Sequence, residues 1–324
     1  MHTPAPAKPL APVAVIVPML DEAATLPALL DALASQTVRL AELVFVDAGS
    51  HDASVSLVQD WWSNHGWPDG YCLVLSVPGA LPGAGRNRGL AASTATRIAF
   101  VDAGLWLEPV WLERMIAALD RSAADSVYAR CRFEGVGVLG TALCGLSYGH
   151  GAQRPTLVGS LFERNAVLHA GAFVEHLRAG EDVRWTQAFD LAGGKRVIAD
   201  EVLIHYHHFP KSLHAAIRKW QLYERHAVLA GVGGKSRALS AALLALALLG
   251  CVLPHAGGLT LLYLLGRGVL DPARRSSWSY WFAARRAVLL AVFLAPILDI
   301  AKLWGAIEGY RQRRFVDQDT TSTK

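Results

Sequence analysis

The stretch VAVIVPMLDEAATLPALLDALASQTVRLAELVFVDAGS, residues 13–50, decides the fold class. Val13 to Val17 is a short β-branched run that stops at Pro18. It lacks the alternation of a half-solvated strand and reads as one buried on both faces. Ala23 to Ser35 then places Leu26, Leu29, Leu30 and Leu33 at helical spacing, which predicts a single apolar face. Glu42 to Val46 is a second apolar run, and it stops at Asp47. The alternation continues outward, with a helix expected over Ser54 to Asn64 and a strand over Tyr71 to Val77. A helix from Gly85 to Ser93, a strand from Arg97 to Val101 ending at Asp102, and a helix from Pro109 to Leu119 follow. This order predicts an α/β domain with a mostly parallel sheet covered on both faces. Ligands of such sheets bind at the carboxyl ends of the strands, where Pro18, Asp47 and Asp102 stand. Residues 125–210 are less regular, and no element is assigned there.

Composition adds a membrane to the picture. Charged residues make up 18% of the chain, against about 25% in an ordinary soluble domain, and mean hydropathy is +0.28. The apolar excess is local. Residues 1–237 mix charge and apolar runs, whereas Ala238 to Gly266 contains no Asp, Glu, Lys or Arg. That run exceeds the ~20 residues a helical span needs, but Pro254 and Gly257-Gly258 break it. A hairpin, a re-entrant pair and one kinked span all fit. Ala287 to Leu298 is a second apolar run, too short to span unless it tilts or Asp299 and Lys302 face protein. Arg267, Arg274, Arg275, Arg285, Arg286, Lys302, Arg311, Arg313 and Arg314 flank these runs, as on a cytoplasmic, anionic leaflet. Ser212 to Gly231 reads as an amphipathic helix that lies in the membrane interface or packs on the domain. A net charge of +4 without aromatic–basic interleaving argues against nucleic acid.

The four cysteines lie far apart and outline no disulfide framework or zinc site. The Pro/Ala-rich start, MHTPAPAKPLAP, is expected to be a disordered lead and has no signal-peptide core. GAGRNRG, residues 83–89, is not spaced as GxGxxG and does not follow the first strand, which argues against nicotinamide or flavin binding.

Five segments in order carry a family resemblance: VIVPMLDEA (15–23), VDAGSHD (46–52), GAGRNRGL (83–90), AFVDAGLWLEPVWLE (99–113) and GAFVEHLRAGED (171–182). Over residues 13–231 the chain resembles the family-2 glycosyltransferases of GT-A fold. The resemblance implies that Pro18, Glu22 and Asp47 line the base and ribose pocket. Arg86, with Asn87 beside it, would reach the nucleotide, Asp102 would sit by ribose and diphosphate, and Asp182 would be the catalytic base. Elementary chemistry agrees on Asp182, because inverting transfer needs a base on the face opposite the leaving nucleotide. Glu181 either orients the loop or is a solvated carboxylate.

The family's Asp-x-Asp is here Asp102-Ala103-Gly104, so the usual second metal-ligating carboxylate is missing. In IHYHH, His205 and His207 fall on one face of an expected strand and can complete a Mg²⁺ or Mn²⁺ site with Asp102; a polar packing cluster is the alternative. The expected organisation is a lead (1–12), a GT-A domain (13–210), an interface helix (211–237), membrane-associated helices (238–310) and a polar tail (311–324). The expected function is inverting transfer from a nucleotide sugar, most simply a UDP-sugar, to a lipid-linked or membrane-proximal glycan acceptor in polysaccharide biosynthesis. The enzyme would sit in the inner membrane with its catalytic domain facing the cytoplasm. A catalytically silent nucleotide-sugar-binding homologue is the alternative.

Overall fold

The computed structural model describes residues 8–67, 69–253 and 255–322, with side chains described as far as residue 313. Pro254 and most of the expected N-terminal lead lie outside the described residues. The chain divides into two compact units whose segments interleave. The first takes in the chain through Cys131, Gln153–His176 and Glu181–Tyr206. The second takes in Arg132–Ala152, Leu177–Gly180 and the chain from His207 onward.

In the first unit, β1 (Leu10–Met19), α1 (Leu26–Ala34), β2 (Arg39–Asp47), α2 (Ser54–His65), β3 (Tyr71–Ser76), α3 (Pro82–Ala92) and β4 (Arg97–Phe100) follow one another. They agree with the expected alternation, although β1 starts three residues before Val13, inside the stretch read as a lead. The chain continues through β5 (Leu105–Leu107), α4 (Trp111–Arg121) and β6 (Ser126–Phe133). After α5 (Gly137–Ser147), which belongs to the second unit, come β7 (Ala152–Glu163), α6 (Arg164–Ala170), α7 (Glu181–Leu191) and β8 (Arg196–Tyr206).

The eight strands form one sheet in the order β3-β2-β1-β4-β7-β6-β8-β5. The run β3-β2-β1-β4 is parallel, as expected. β7 joins β4 antiparallel and β5 joins β8 antiparallel, so the complete sheet is mixed. Central strands are dry: Val13 to Val17 are all 0% exposed. Leu26, Leu29, Leu30 and Leu33 of α1 are buried, which confirms the face read from their spacing. Beneath the strand ends an aromatic cluster forms from Phe100, Phe162, Phe173, Trp185 and Phe189, with Phe173 and Trp185 stacked at 4.7 Å.

The segment left unassigned in the sequence holds β6, α5, β7, α6, α7 and β8. α5 hides because GVLGTALCGLS has no polar face to set a period.

In the second unit, α8 (Leu213–Leu229) begins at an N-cap, Ser212, whose hydroxyl accepts from the Ala215 N–H. α9 (Gly234–Val252) and α10 (Gly257–Leu265) are two helices that pack on each other through Leu244, Ala247 and Tyr263. A π-helical turn over Gly266–Leu270, then α11 (Asp271–Arg275), α12 (Trp278–Ala283) and α13 (Arg285–Ser322) complete the unit. Asp299 of α13 is buried, and Arg267 grips it bidentately with two bonds of 3.0 Å. The Tyr263 hydroxyl donates to the same carboxylate at 2.9 Å. Asp299 thus faces protein, the condition under which its apolar run can belong to a longer span. Gly234–Val252 and Arg285–Arg313 are long and apolar enough to cross a membrane, by length and composition.

Candidate active site

The carboxyl ends of β1, β2 and β4 lie side by side, because Met19 pairs with Asp47 and Ile16 with Phe100. Asp47 is 5% exposed, and its carboxylate accepts the N–H groups of Gly49 at 3.2 Å and Ser50 at 3.0 Å. The turn needs glycine at position 49, where φ is +96°. Asp21 ties the end of β1 to the same turn: its backbone N–H donates to the Ser50 hydroxyl, and its carboxylate accepts the His51 N–H at 2.7 Å. His51, which has no partner legible in sequence, therefore contributes its backbone. The Glu22 N–H donates to Ser54 Oγ at 2.8 Å, while the Glu22 carboxylate accepts from the Thr25 hydroxyl.

α3 packs closely on β1, and its glycines explain how. A Cβ at Gly89 would overlap Ile16, and one at Gly85 would stand 2.9 Å from Pro18 Cβ. The glycines of GAGRNRG thus serve helix–strand contact, and they bring Arg86 to the strand ends. Arg86 is 3% exposed. It donates to Glu181 Oε1 at 2.8 Å and to Asp102 Oδ1 at 3.0 Å. Its guanidinium also lies 5.5 Å over the Phe173 ring, a cation–π contact. Asn87 is committed to the same loop: its side chain accepts the Phe173 N–H and donates to the Phe173 carbonyl, both at 2.9 Å. It also donates to Glu175 at 3.0 Å.

Electrostatics make this a high-stakes cluster. Burial opposes the charge on Arg86, but Asp102 and Glu181 outweigh it and hold its pKa above the ordinary arginine value. Burial pushes the Glu181 carboxyl above the usual range, against the pull of Arg86, and the neighbouring Asp182 adds to the rise. Arg86 Nε and Glu181 Oε2 are buried with no hydrogen-bond partner among the described residues. The solvated reading of Glu181 is therefore corrected: it is 5% exposed and ion-paired. Asp102, by contrast, is half exposed. Glu181 and Asp182 form the first turn of α7, where the helix dipole favours negative charge. The Asp182 carboxylate accepts the Val183 N–H at 2.8 Å, and the residue is partly exposed.

Each metal candidate has a recorded partner of its own. Asp102 engages Arg86. His205 Nε2 lies 3.0 Å from Glu108 Oε1, and in the second unit His207 Nδ1 lies 3.9 Å from Glu134 Oε2. Glu108 and Glu134 carry no strand-end signal, and sequence reasoning passed over both. The Arg86–Glu181 pair was equally hidden, since 95 residues separate its members.

A mixed α/β sheet with acidic residues at adjacent strand ends and a buried arginine behind them fits the GT-A-type fold expected from the sequence. Comparison with known proteins agrees. Residues 14–165 match the model of glycosyl transferase family 2. Glycosyltransferase AglE of Haloferax volcanii is 27% identical over 202 residues, which is 59% of this chain and 65% of AglE. Putative glycosyltransferase EpsH of Bacillus subtilis is 30% identical over 125 residues, 39% of this chain and 32% of EpsH. Both matches span less than two thirds of the relative's length. Among solved structures, mannosyltransferase PcManGT of Pyrobaculum calidifontis, in complex with GDP-Man and Mn²⁺, has a TM-score of 0.54 and 18% identity. That match covers 95% of this chain and 90% of PcManGT, and it speaks to fold.

Proposed function

We propose that the protein is an inverting glycosyltransferase that moves a hexosyl group from a nucleotide sugar to a lipid-linked or membrane-proximal glycan. It would act at the cytoplasmic face of the membrane that α9 and α13 enter. The observation that carries the reading is the Arg86 bridge. One buried guanidinium joins Asp102, at the nucleotide-binding strand ends, to Glu181, next to Asp182.

In this reading Pro18, Glu22 and Asp47 line the base and ribose pocket, with Asn87 holding the Phe173 loop beside Arg86. Asp182 takes the proton of the acceptor hydroxyl as the acceptor oxygen bonds to the anomeric carbon. The bond from that carbon to the diphosphate oxygen breaks on the opposite face, which inverts the configuration. The donor set fits a divalent cation: Asp102 binds Arg86 through one oxygen and, half exposed, can offer the other. A Mg²⁺ or Mn²⁺ held there, with His205, would neutralise the departing diphosphate. One observation favours a catalytically silent reading, namely Gly104 where the family often has a second Asp.

The test is a donor screen with the full chain in detergent, reading nucleoside diphosphate release. UDP-sugars come first, and GDP-Man is included because PcManGT is described with it. Asp182→Asn is expected to bind donor normally and transfer about 10²–10⁴-fold more slowly, the usual contribution of a general base. Near-normal transfer by Asp182→Asn removes it as the base. Donor binding without turnover across the screen supports the silent reading.

A further inference from the structure

From Pro272 to Leu298, within the second unit, the chain has four arginines and no Asp or Glu. The arginines form two pairs, Arg274-Arg275 and Arg285-Arg286, with α12 between them. Trp281 of α12 is 0% exposed and anchors the helix. Trp278, Tyr280 and Phe282 lie outward, 58%, 53% and 42% exposed. The rings of Trp278 and Phe282, one helical turn apart, have centroids 5.4 Å from each other. Large rings gathered on one exposed face mark a contact surface.

The corner is held firmly from beneath. Asp271 Oδ1 accepts from Arg275 at 3.0 Å and from Arg274 at 3.4 Å. Its Oδ2 accepts from Arg267 at 3.0 Å and from Arg275 at 2.9 Å. Arg275 also donates to the Ser147 carbonyl at 3.0 Å, and the Ser276 hydroxyl accepts the His150 N–H at 2.8 Å. Arg275 is thereby committed to structure. Arg274 is 78% exposed at its side chain, and Arg285 and Arg286 are exposed too. One carboxylate serves three guanidiniums, so the surface above it keeps an excess of positive charge.

We propose that residues 274–286 form a docking surface for the headgroups of anionic phospholipids. Arg274, Arg285 and Arg286 meet the headgroup phosphates, while Trp278, Tyr280 and Phe282 sit at the boundary between headgroups and acyl chains. The rings favour a lipid over a free phosphate, because a free phosphate gains nothing from them. The flanks agree, since the chain leaves the corner in both directions into exposed apolar residues, Leu270 at 55% and Leu289 at 65%. The inference rests on the reading that α9 and α13 enter a membrane, and it adds a lipid class and a place of contact.

The experiment uses the full chain in a neutral detergent. Short-chain phosphatidylglycerol or phosphatidylcholine is titrated in, and native mass spectrometry counts the lipid retained. The wild type is expected to hold phosphatidylglycerol more tightly. At the usual contribution of a basic residue near an anionic surface, Arg274→Gln, Arg285→Gln and Arg286→Gln each lower that affinity about 5-fold, and together about 100-fold. An equal loss of charge in the first unit, by Arg114→Gln, Arg121→Gln and Lys195→Gln together, is expected to leave it unchanged. Trp278→Ala is expected to reduce the quenching of tryptophan fluorescence by bromine-labelled phosphatidylglycerol. Urea unfolding checks each variant, and if the triple variant does not fold, the single ones carry the test. Equal affinity for the two lipids, an equal loss in the first-unit set, or displacement of phosphatidylglycerol by equimolar inorganic phosphate overturns the inference. If the wild type needs detergent for extraction yet shows no lipid preference, the membrane reading stands and this inference alone fails. Recovery of the wild type in the aqueous fraction removes both.

Discussion

Replacing Arg86 with methionine tests the bridge on which the site is built. Two carboxylates lose a partner, and they differ in what that costs. Asp102 is half exposed, so water takes over and its share is at most about 1 kcal/mol. Glu181 is 6% exposed at the side chain, and a buried charge stripped of its partner typically costs about 3–5 kcal/mol. The carboxyl can escape by taking a proton. From an ordinary pKa of about 4.3, at about 1.4 kcal/mol per pH unit, that escape caps the cost near 3.7 kcal/mol at pH 7 and near 1 kcal/mol at about pH 5. The sign follows from the direction of the shift. Burial already raises Glu181, and without Arg86 it rises further, so stability is lost as pH climbs from the unfolded value toward the folded one. Urea unfolding of the full chain in detergent should therefore show Arg86→Met destabilised by about 3–4 kcal/mol near pH 7 and by about 1 kcal/mol near pH 5. Glu181→Gln in the same background should recover most of the loss. A loss under about 1 kcal/mol at both values, or one that Glu181→Gln does not relieve, refutes the argument.

Asp47→Asn and Asp102→Asn should each weaken nucleotide binding by about 1–3 kcal/mol, the scale of a hydrogen bond to a charged group, and calorimetry with the nucleotide measures it. Chelation with EDTA should abolish transfer, with Mg²⁺ or Mn²⁺ restoring it, and Asp102→Asn should raise the cation concentration required. The full-length protein should sediment with membranes and require detergent for extraction, whereas recovery in the aqueous fraction would contradict the membrane reading of α9 and α13.

The run from β1 to α4 was legible because its strands are uninterrupted apolar blocks and its helices keep a clean apolar face. Leu26, Leu29, Leu30 and Leu33 were found this way. The strand-end aspartates were legible for the same reason, since each stands where an apolar block stops. Beyond residue 125 that signal fails. α5 is apolar all round, and the antiparallel entry of β7 is set by long-range pairing that no local period encodes. The site was legible as residue types and not as bonds. Arg86, Asp102 and Glu181 were each singled out, yet nothing local says that one guanidinium holds both acids. Asn87 was expected at the nucleotide, and the bonds of its amide to the backbone of Phe173 were not legible. The glycines of GAGRNRG serve the close approach of α3 to Ile16 and Pro18, which their spacing does not announce.

Interleaving the two units has a consequence for synthesis. α5 leaves the ribosome early, yet its partners come at the far end of the chain. Trp281 covers Gly145 so tightly that a Cβ there could not fit, and Arg275 donates to the Ser147 carbonyl at 3.0 Å. At translation rates of about 5–20 residues per second, the helix waits on the order of ten seconds for those residues to exist. Through that interval the largely apolar α5 lacks the residues that cover it. A gene cut after α8 would leave α5 permanently without Arg275 and Trp281.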